Sequence, residues 1–173
     1  PMTAIKGYTD LLHSGAVGAI NEEQERFLAI IKNNADRLTA LINDLLDISR
    51  VDTGRVRFVP QSVQIGDVIS GVVNALAPEA HRKNQTLTYE VVGGLPDLMG
   101  DRNRLTQVLT NLVGNAIRYT PNEGEIEVLA YPVEGAVRMD VRDTGIGIAP
   151  EDLGRIFERF YRSEHPMVRE AGG

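Results

Sequence analysis

Between residues 27 and 48 the apolar positions recur by four and three: Phe27, Ile31, Leu38, Leu41, Leu45 and Ile48, with Asn34 as the polar member. This is the seam of a helix that lies along another helix. Leu28, Ala35 and Ile42 widen the seam into a stripe broader than a lone surface helix needs. Asn21, followed three residues later by Gln24, has the form of a capping box and predicts where the helix starts. Upstream, "PMTAIKGYTDLL" reads as a shorter helix with Met2, Ile5 and Leu12 on one side, and "HSGAVGAI" is the connector. Helices joined by a short Gly-containing loop form an antiparallel hairpin. A hairpin this thin cannot bury its own stripe. A dimeric four-helix bundle completes it, and packing on the rest of the chain is the alternative.

The pattern changes near residue 54, where Gly54 is a plausible helix stop. Residues 56–65 read as a strand, 65–82 as a helix that Pro78 bends, and 85–92 as a strand followed by the turn "GGLPD". A helix over 102–119 is capped by Asp101, strands near 125–132 and 136–143 form a hairpin, and Pro150 opens a last helix. The predicted fold class is α+β. A helical hairpin over 1–54, half of a dimeric four-helix bundle, precedes an α/β two-layer sandwich over 55–173 with mostly antiparallel strands. At 42% hydrophobic residues, the chain can fill such a core. Zero cysteines excludes disulfides and fits a reducing compartment. No apolar run reaches the roughly 18 residues of a membrane span, and no signal-peptide pattern opens the chain. A net charge of −6 argues against nucleic acid as a partner.

The chemistry concentrates in "MDVRDTGIGIAPEDLGRIFERFYR", residues 139–162. On the strand, Val137, Met139 and Val141 face one side, Arg138, Asp140 and Arg142 the other, and Asp143 continues the apolar side. A carboxylate there is taken partly out of water, which is costly unless a donor meets it. Asp143 is therefore placed to receive a hydrogen bond. In "DRNRLTQVLTNLVGNAIRYTP", Leu105, Val108, Leu109, Leu112, Val113 and Ala116 make the expected buried face. Asn111 and Asn115 share a different face, extended by Arg104, Gln107 and Arg118. Asn is a mediocre helix-interior residue because its amide competes for the backbone. Paired this way, Asn oxygens can hold a hard cation and Asn amides can touch phosphate; an ordinary solvated face is the alternative.

"NLVGNAIRYTP", "DTGIGI" and "IFERFYR", in this order and spacing, resemble the asparagine, first glycine and phenylalanine boxes of sensor histidine kinases. "PMTAIKGYTDLL" resembles the stretch after the phospho-acceptor motif His-Glu-Leu-Arg-Thr, and "LINDLLDISRVDTG" the end of the second dimerisation helix. The resemblance covers essentially the whole chain. It implies an ATP-dependent protein histidine kinase of two-component signalling, with ATP and Mg²⁺ as ligands. Its partners would be a second copy, through the hairpin, and a response-regulator receiver domain. Its location would be the cytoplasm, with any membrane anchor elsewhere in a parent protein. Residue by residue, the resemblance implies that Asp143 accepts the adenine amino group and that Gly145 and Gly147 let the backbone turn tightly against the nucleotide. Asn115 would ligate Mg²⁺, with Asn111 beside it at the triphosphate. Arg118 stands where the family usually has Lys, and Tyr119 would pack against the base. Phe157 and Phe160 would anchor a lid, and Arg162 would reach the γ-phosphate.

Two parts of the family's equipment are expected outside these residues. The acceptor His would lie directly before Pro1, and a second glycine box would begin after "REAGG". None of His13, His81 and His165 resembles the acceptor, so the 173-residue chain alone is expected not to phosphorylate itself. Other classes remain as alternatives. "DTG" is also an aspartic-protease signature, but Arg142 precedes it and a helix follows. ATPases and clamps of the same superfold, such as gyrase, mismatch-repair and heat-shock chaperone ATPases, use a Glu where this chain has Asn111, and an amide cannot act as a base. A nucleotide-binding pseudokinase scaffold is the third.

Overall fold

A computed structural model describes residues 2–52, 58–158, 161–163 and 168. The chain forms two compact units, Pro1–Arg57 and Phe58–Gly173.

The first unit contains α1 (Met2–His13) and α2 (Glu22–Asp52). The capping box forms in both directions: the Gln24 amide donates to Asn21 Oδ1 at 2.8 Å, and the Asn21 amide donates to Gln24 Oε1 at 2.9 Å. Glu22, Glu23 and Glu25 add negative charge at the helix start, where the dipole favours it. Lys6 pairs with Asp36, and Lys32 with Asp10 at 2.5 Å. A step up one helix thus matches a step down the other, so the hairpin is antiparallel. Among the described residues Thr9 and Ala35 are its buried ones. The stripe stays open: Phe27, Ile31, Leu38, Leu41, Ile42 and Leu45 are between 43% and 57% exposed.

In the second unit, β1 (Gln61–Val63) pairs antiparallel with β3 (Leu98–Gly100). The main sheet has the order β2–β4–β5, from Thr86–Val91, Glu125–Val133 and Ala136–Asp143. Helices α3 (Ile65–Arg82) and α4 (Arg102–Tyr119) pack on it, and α5 (Pro150–Leu153) follows β5. Strand β4 alternates as a half-covered strand must, with Ile126, Val128 and Ala130 turned into the core. They meet Ile69 and Val72 of α3 and Leu109, Val113 and Ile117 of α4. The other face is polar, where the Tyr131 hydroxyl and the Arg138 guanidinium each donate to Asp140 at 2.8 Å.

The expected mostly antiparallel pairing is seen in β1–β3 and β4–β5, whereas β2 is parallel to β4, because the connection between them contains all of α4 and crosses back over the sheet. Other sequence expectations are corrected. The strand expected over 56–65 is confined to Gln61–Val63, which is as much as β3 can pair, and residues 53–57 lie outside the described set. Strand β3 itself was not anticipated. On α4, Val108 and Leu112 are 53% and 49% exposed, while Ile117 is fully buried. The face against the sheet is the narrow one through Leu109, Val113, Ala116 and Ile117. Val108 and Leu112 flank it, each three residues before one of the paired asparagines.

Candidate functional site

The start of α4 is fixed by Asp101. One carboxylate oxygen accepts from the Asn103 and Arg104 amides at 3.0 and 3.2 Å; the other accepts from the Val59 amide at 3.1 Å. The Val59 amide first, and then the helix amides, hold this carboxyl below the ordinary Asp range. Further along, Asn111, Asn115 and Arg118 are all exposed and succeed one another at one-turn spacing. The face can therefore receive a polar ligand along its length. Arg104 donates to Gln107 at 2.8 Å at its upstream end.

Where α4 ends, the turn after β5 meets it. The Tyr119 carbonyl accepts from the Ile146 amide at 3.2 Å. Asp143, last in β5 and opposite Ile126 on β4, accepts from the Gly145 amide at 2.9 Å. A β-carbon at Gly145 would stand 2.6 Å from Asp143 Oδ1 and 2.8 Å from the Tyr119 carbonyl oxygen, closer than side chains tolerate. Gly147 has φ of 70°, in the left-handed region that favours glycine. Thr144 ties the turn to the start of β4: its hydroxyl accepts from the Glu125 amide at 2.9 Å, and its amide donates to the Glu125 carbonyl at 3.1 Å. Asp143 itself is exposed, which corrects the expectation that it is partly withdrawn from water. It sits at the strand's end and keeps a free face for a ligand, with one internal donor already supplied by the turn.

Sequence reasoning missed two residues at this junction. The Lys83 ammonium donates to the carbonyls of Ile117, Arg118 and Thr120 at 2.6, 3.1 and 3.0 Å. The Gln85 side-chain nitrogen donates to those of Ile117, Thr120 and Pro121 at 3.0, 2.7 and 3.2 Å. Both lie on the short segment between α3 and β2, on either side of Asn84, whose φ of 54° turns the chain there, and the available signal was a polar Gln directly before an alternating strand.

Beyond the turn, the Tyr161 hydroxyl donates to Asp152, and the Arg155 guanidinium lies 4.1 Å from the centre of the Tyr161 ring. Phe157 is 92% exposed, and Phe160 lies outside the described residues. Arg162 donates to the Val168 carbonyl at 2.7 Å, so its guanidinium is engaged within its own segment. The structure thus gathers Tyr119, Asp143, Gly145 and Gly147 at the end of α4 and aligns Asn111, Asn115 and Arg118 along that helix. It does not join Arg162 to them. His13 and His81 are exposed, and His165 lies outside the described residues. Among the described residues no helix is long and apolar enough to cross a membrane, and no cluster of His, Cys, Asp and Glu forms a metal site.

The chain thus joins a helical hairpin, first in sequence, to an α/β unit whose strand end and Asn-bearing helix meet at a Gly-rich turn. Residues 100–173 match the histidine kinase-, DNA gyrase B- and HSP90-like ATPase family, and residues 1–54 match the His kinase A (phospho-acceptor) domain. The chain belongs to the sensor histidine kinases. It is 36% identical over its full length to the hybrid signal transduction histidine kinase L of Dictyostelium discoideum, of which it spans 10%. It is 34% identical over its full length to the sensor histidine kinase GacS of Pseudomonas protegens, of which it spans 19%. Among solved structures, full-length ShkA in complex with AMPPNP matches 94% of the chain with a TM-score of 0.78 and 31% identity, the match covering 34% of ShkA.

Proposed function

We propose that this chain is the dimerisation and ATP-binding portion of a two-component sensor histidine kinase. Residues 1–54 form the dimerisation and phosphotransfer hairpin, and residues 55–173 the ATP-binding unit. The parent kinase transfers the γ-phosphate of ATP to a histidine and then to an aspartate of a response-regulator receiver domain, in the cytoplasm. The observation that carries this reading is the junction of Tyr119 and Ile146, which brings the Asp143 turn to the end of the Asn-bearing helix. A ShkA complex with an ATP analogue supports it, as does the phospho-acceptor family match.

On this reading the exposed Asp143 carboxylate accepts the amino group of adenine, which guanine would replace with a repelling oxygen. Gly145 and Gly147 keep the backbone low enough for the base, and Tyr119 packs beside it. The triphosphate runs along α4 past Asn111, Asn115 and Arg118, and Arg162 reaches it only after leaving Val168. Two exposed amide oxygens fit a Mg²⁺ ion that keeps phosphate and water among its ligands, and Asn115 is the residue that would hold it. Mg²⁺ would supply charge neutralisation at the phosphates. The remaining work is positioning: an imidazole nitrogen attacks the γ-phosphorus, the bond to the bridging oxygen breaks, and ADP leaves.

Asp143→Asn tests the assignment. It removes a charge-assisted acceptor and should weaken ATP binding roughly ten- to 150-fold. Calorimetry finding the same affinity in a folded variant sinks the adenine anchor. Label from γ-labelled ATP should be absent from His13 and His81, and robust labelling of either would overturn the placement of the acceptor elsewhere.

A further inference from the structure

We infer that Lys83 and Gln85 are positioning residues for the nucleotide turn, acting through the last carbonyls of α4; the inference rests on the nucleotide reading above and deepens it. An α-helix leaves its final four carbonyls without helical partners. Here each has an identified donor. The Ala116 carbonyl takes the Thr120 amide at 3.0 Å, Ile117 takes Lys83 and Gln85, Arg118 takes Lys83, and Tyr119 takes the Ile146 amide. The first of these bonds belongs to the helix end itself. The last is the nucleotide turn. Between them stand the two side chains from the segment that joins α3 to β2.

The chemistry of the pair suits this role. An ammonium has three donors, and Lys83 places them on three carbonyls at the negative end of the helix dipole. Gln85 faces three carbonyls, so its nitrogen, not its oxygen, must be turned to them. Its Oε1 and the Thr120 hydroxyl are buried without a protein partner. A buried, half-satisfied amide is a net cost, and an apolar side chain at this position would avoid it. What the amide does accomplish is to hold the Ile117 and Thr120 carbonyls together with Lys83, which donates to both. The last turn of α4, which carries Asn115, Arg118 and Tyr119, is thereby fixed in height and rotation. Because Tyr119 offers the carbonyl on which Ile146 sits, the turn bearing Asp143 inherits that position.

Amide hydrogen exchange and calorimetry on the whole chain separate positioning from general stability. In Lys83→Met, and independently in Gln85→Met, the Ile146 amide should exchange about ten-fold faster, the effect of losing one such bond. The α3 core amides of Val68 and Ile69 should keep their rates, and ATP affinity should fall by a similar factor. Lys83→Arg, which retains the donors, should recover most of both. Equal acceleration at Ile146, Val68 and Ile69 would mean global loosening and would overturn the inference. So would unchanged Ile146 exchange in both folded variants. Should the unmutated chain show no ATP affinity, the nucleotide reading falls, while the exchange ratio still decides whether Lys83 and Gln85 hold the turn.

Discussion

At the scale of single residues, the site is governed by how closely backbone segments approach. Gly145 leaves no room for a methyl group between the Asp143 carboxylate and the Tyr119 carbonyl. Gly145→Ala should therefore displace the turn, costing about 1–3 kcal/mol of strain and most of the ATP affinity. Gly71 is the matched contrast, since it lies exposed within α3 and a β-carbon there would meet nothing within 4 Å. Gly71→Ala should stabilise the second unit by about 0.5–1 kcal/mol, because alanine loses less backbone freedom on folding. Urea midpoints of the two variants should move in opposite directions. If Gly145→Ala retains both the wild-type midpoint and ATP affinity, the close approach is not a constraint on the turn.

At the scale of elements, α4 is the part whose two ends are most heavily tied. Its N-terminal tie is acidic and so titrates. The Val59 amide and then the helix amides lower the Asp101 carboxyl in the folded state. The stability this contributes is fully present above the unfolded Asp value of about 3.9 and is lost as pH falls through the lower folded value. Asp101→Asn keeps a capping acceptor but removes the titration. Denaturation of the variant should consequently show a shallower acid slope below pH about 4 than the parent. Identical slopes would show that other carboxyls dominate. The signals that predicted this helix were local: Asp101 before it and its apolar spacing. The Asn21 and Gln24 box and Pro150 at the start of α5 were equally readable for the same reason. Strand β3 was not, because a strand of three residues leaves no periodicity to detect. Val108 and Leu112 misled because apolar spacing marks a broad arc of helix, while the sheet covers only part of it. Lys83 and Gln85 act over more than thirty residues of sequence, and no window of neighbouring residues contains that contact.

For the whole molecule, the hairpin's open stripe is the face proposed for assembly. Leu38 and Leu45 are 47% and 57% exposed within one chain, and a second copy is the proposed cover. The chain should sediment as a dimer. Leu38→Glu should give a monomer with unchanged helical content, since the side chain is already exposed in one chain. A Leu38→Glu variant that sediments as the parent does would remove the stripe from the interface. The α+β class and the hairpin followed from periodicity, whereas the parallel pairing of β2 with β4 did not, because strand direction is set by the path of the connection.

That parallel pairing also has a consequence in time. The β4–β5 hairpin is local and can close early, but β2 can join only after the intervening chain has returned across the sheet. Asp143 belongs to the early piece, and Tyr119 to the late-returning helix. The proposed nucleotide site is therefore completed when the crossover docks, and not before. During refolding, gain of ATP affinity should lag the appearance of hairpin structure and coincide with protection of the β2 amides, so occupancy by nucleotide reports that folding has finished.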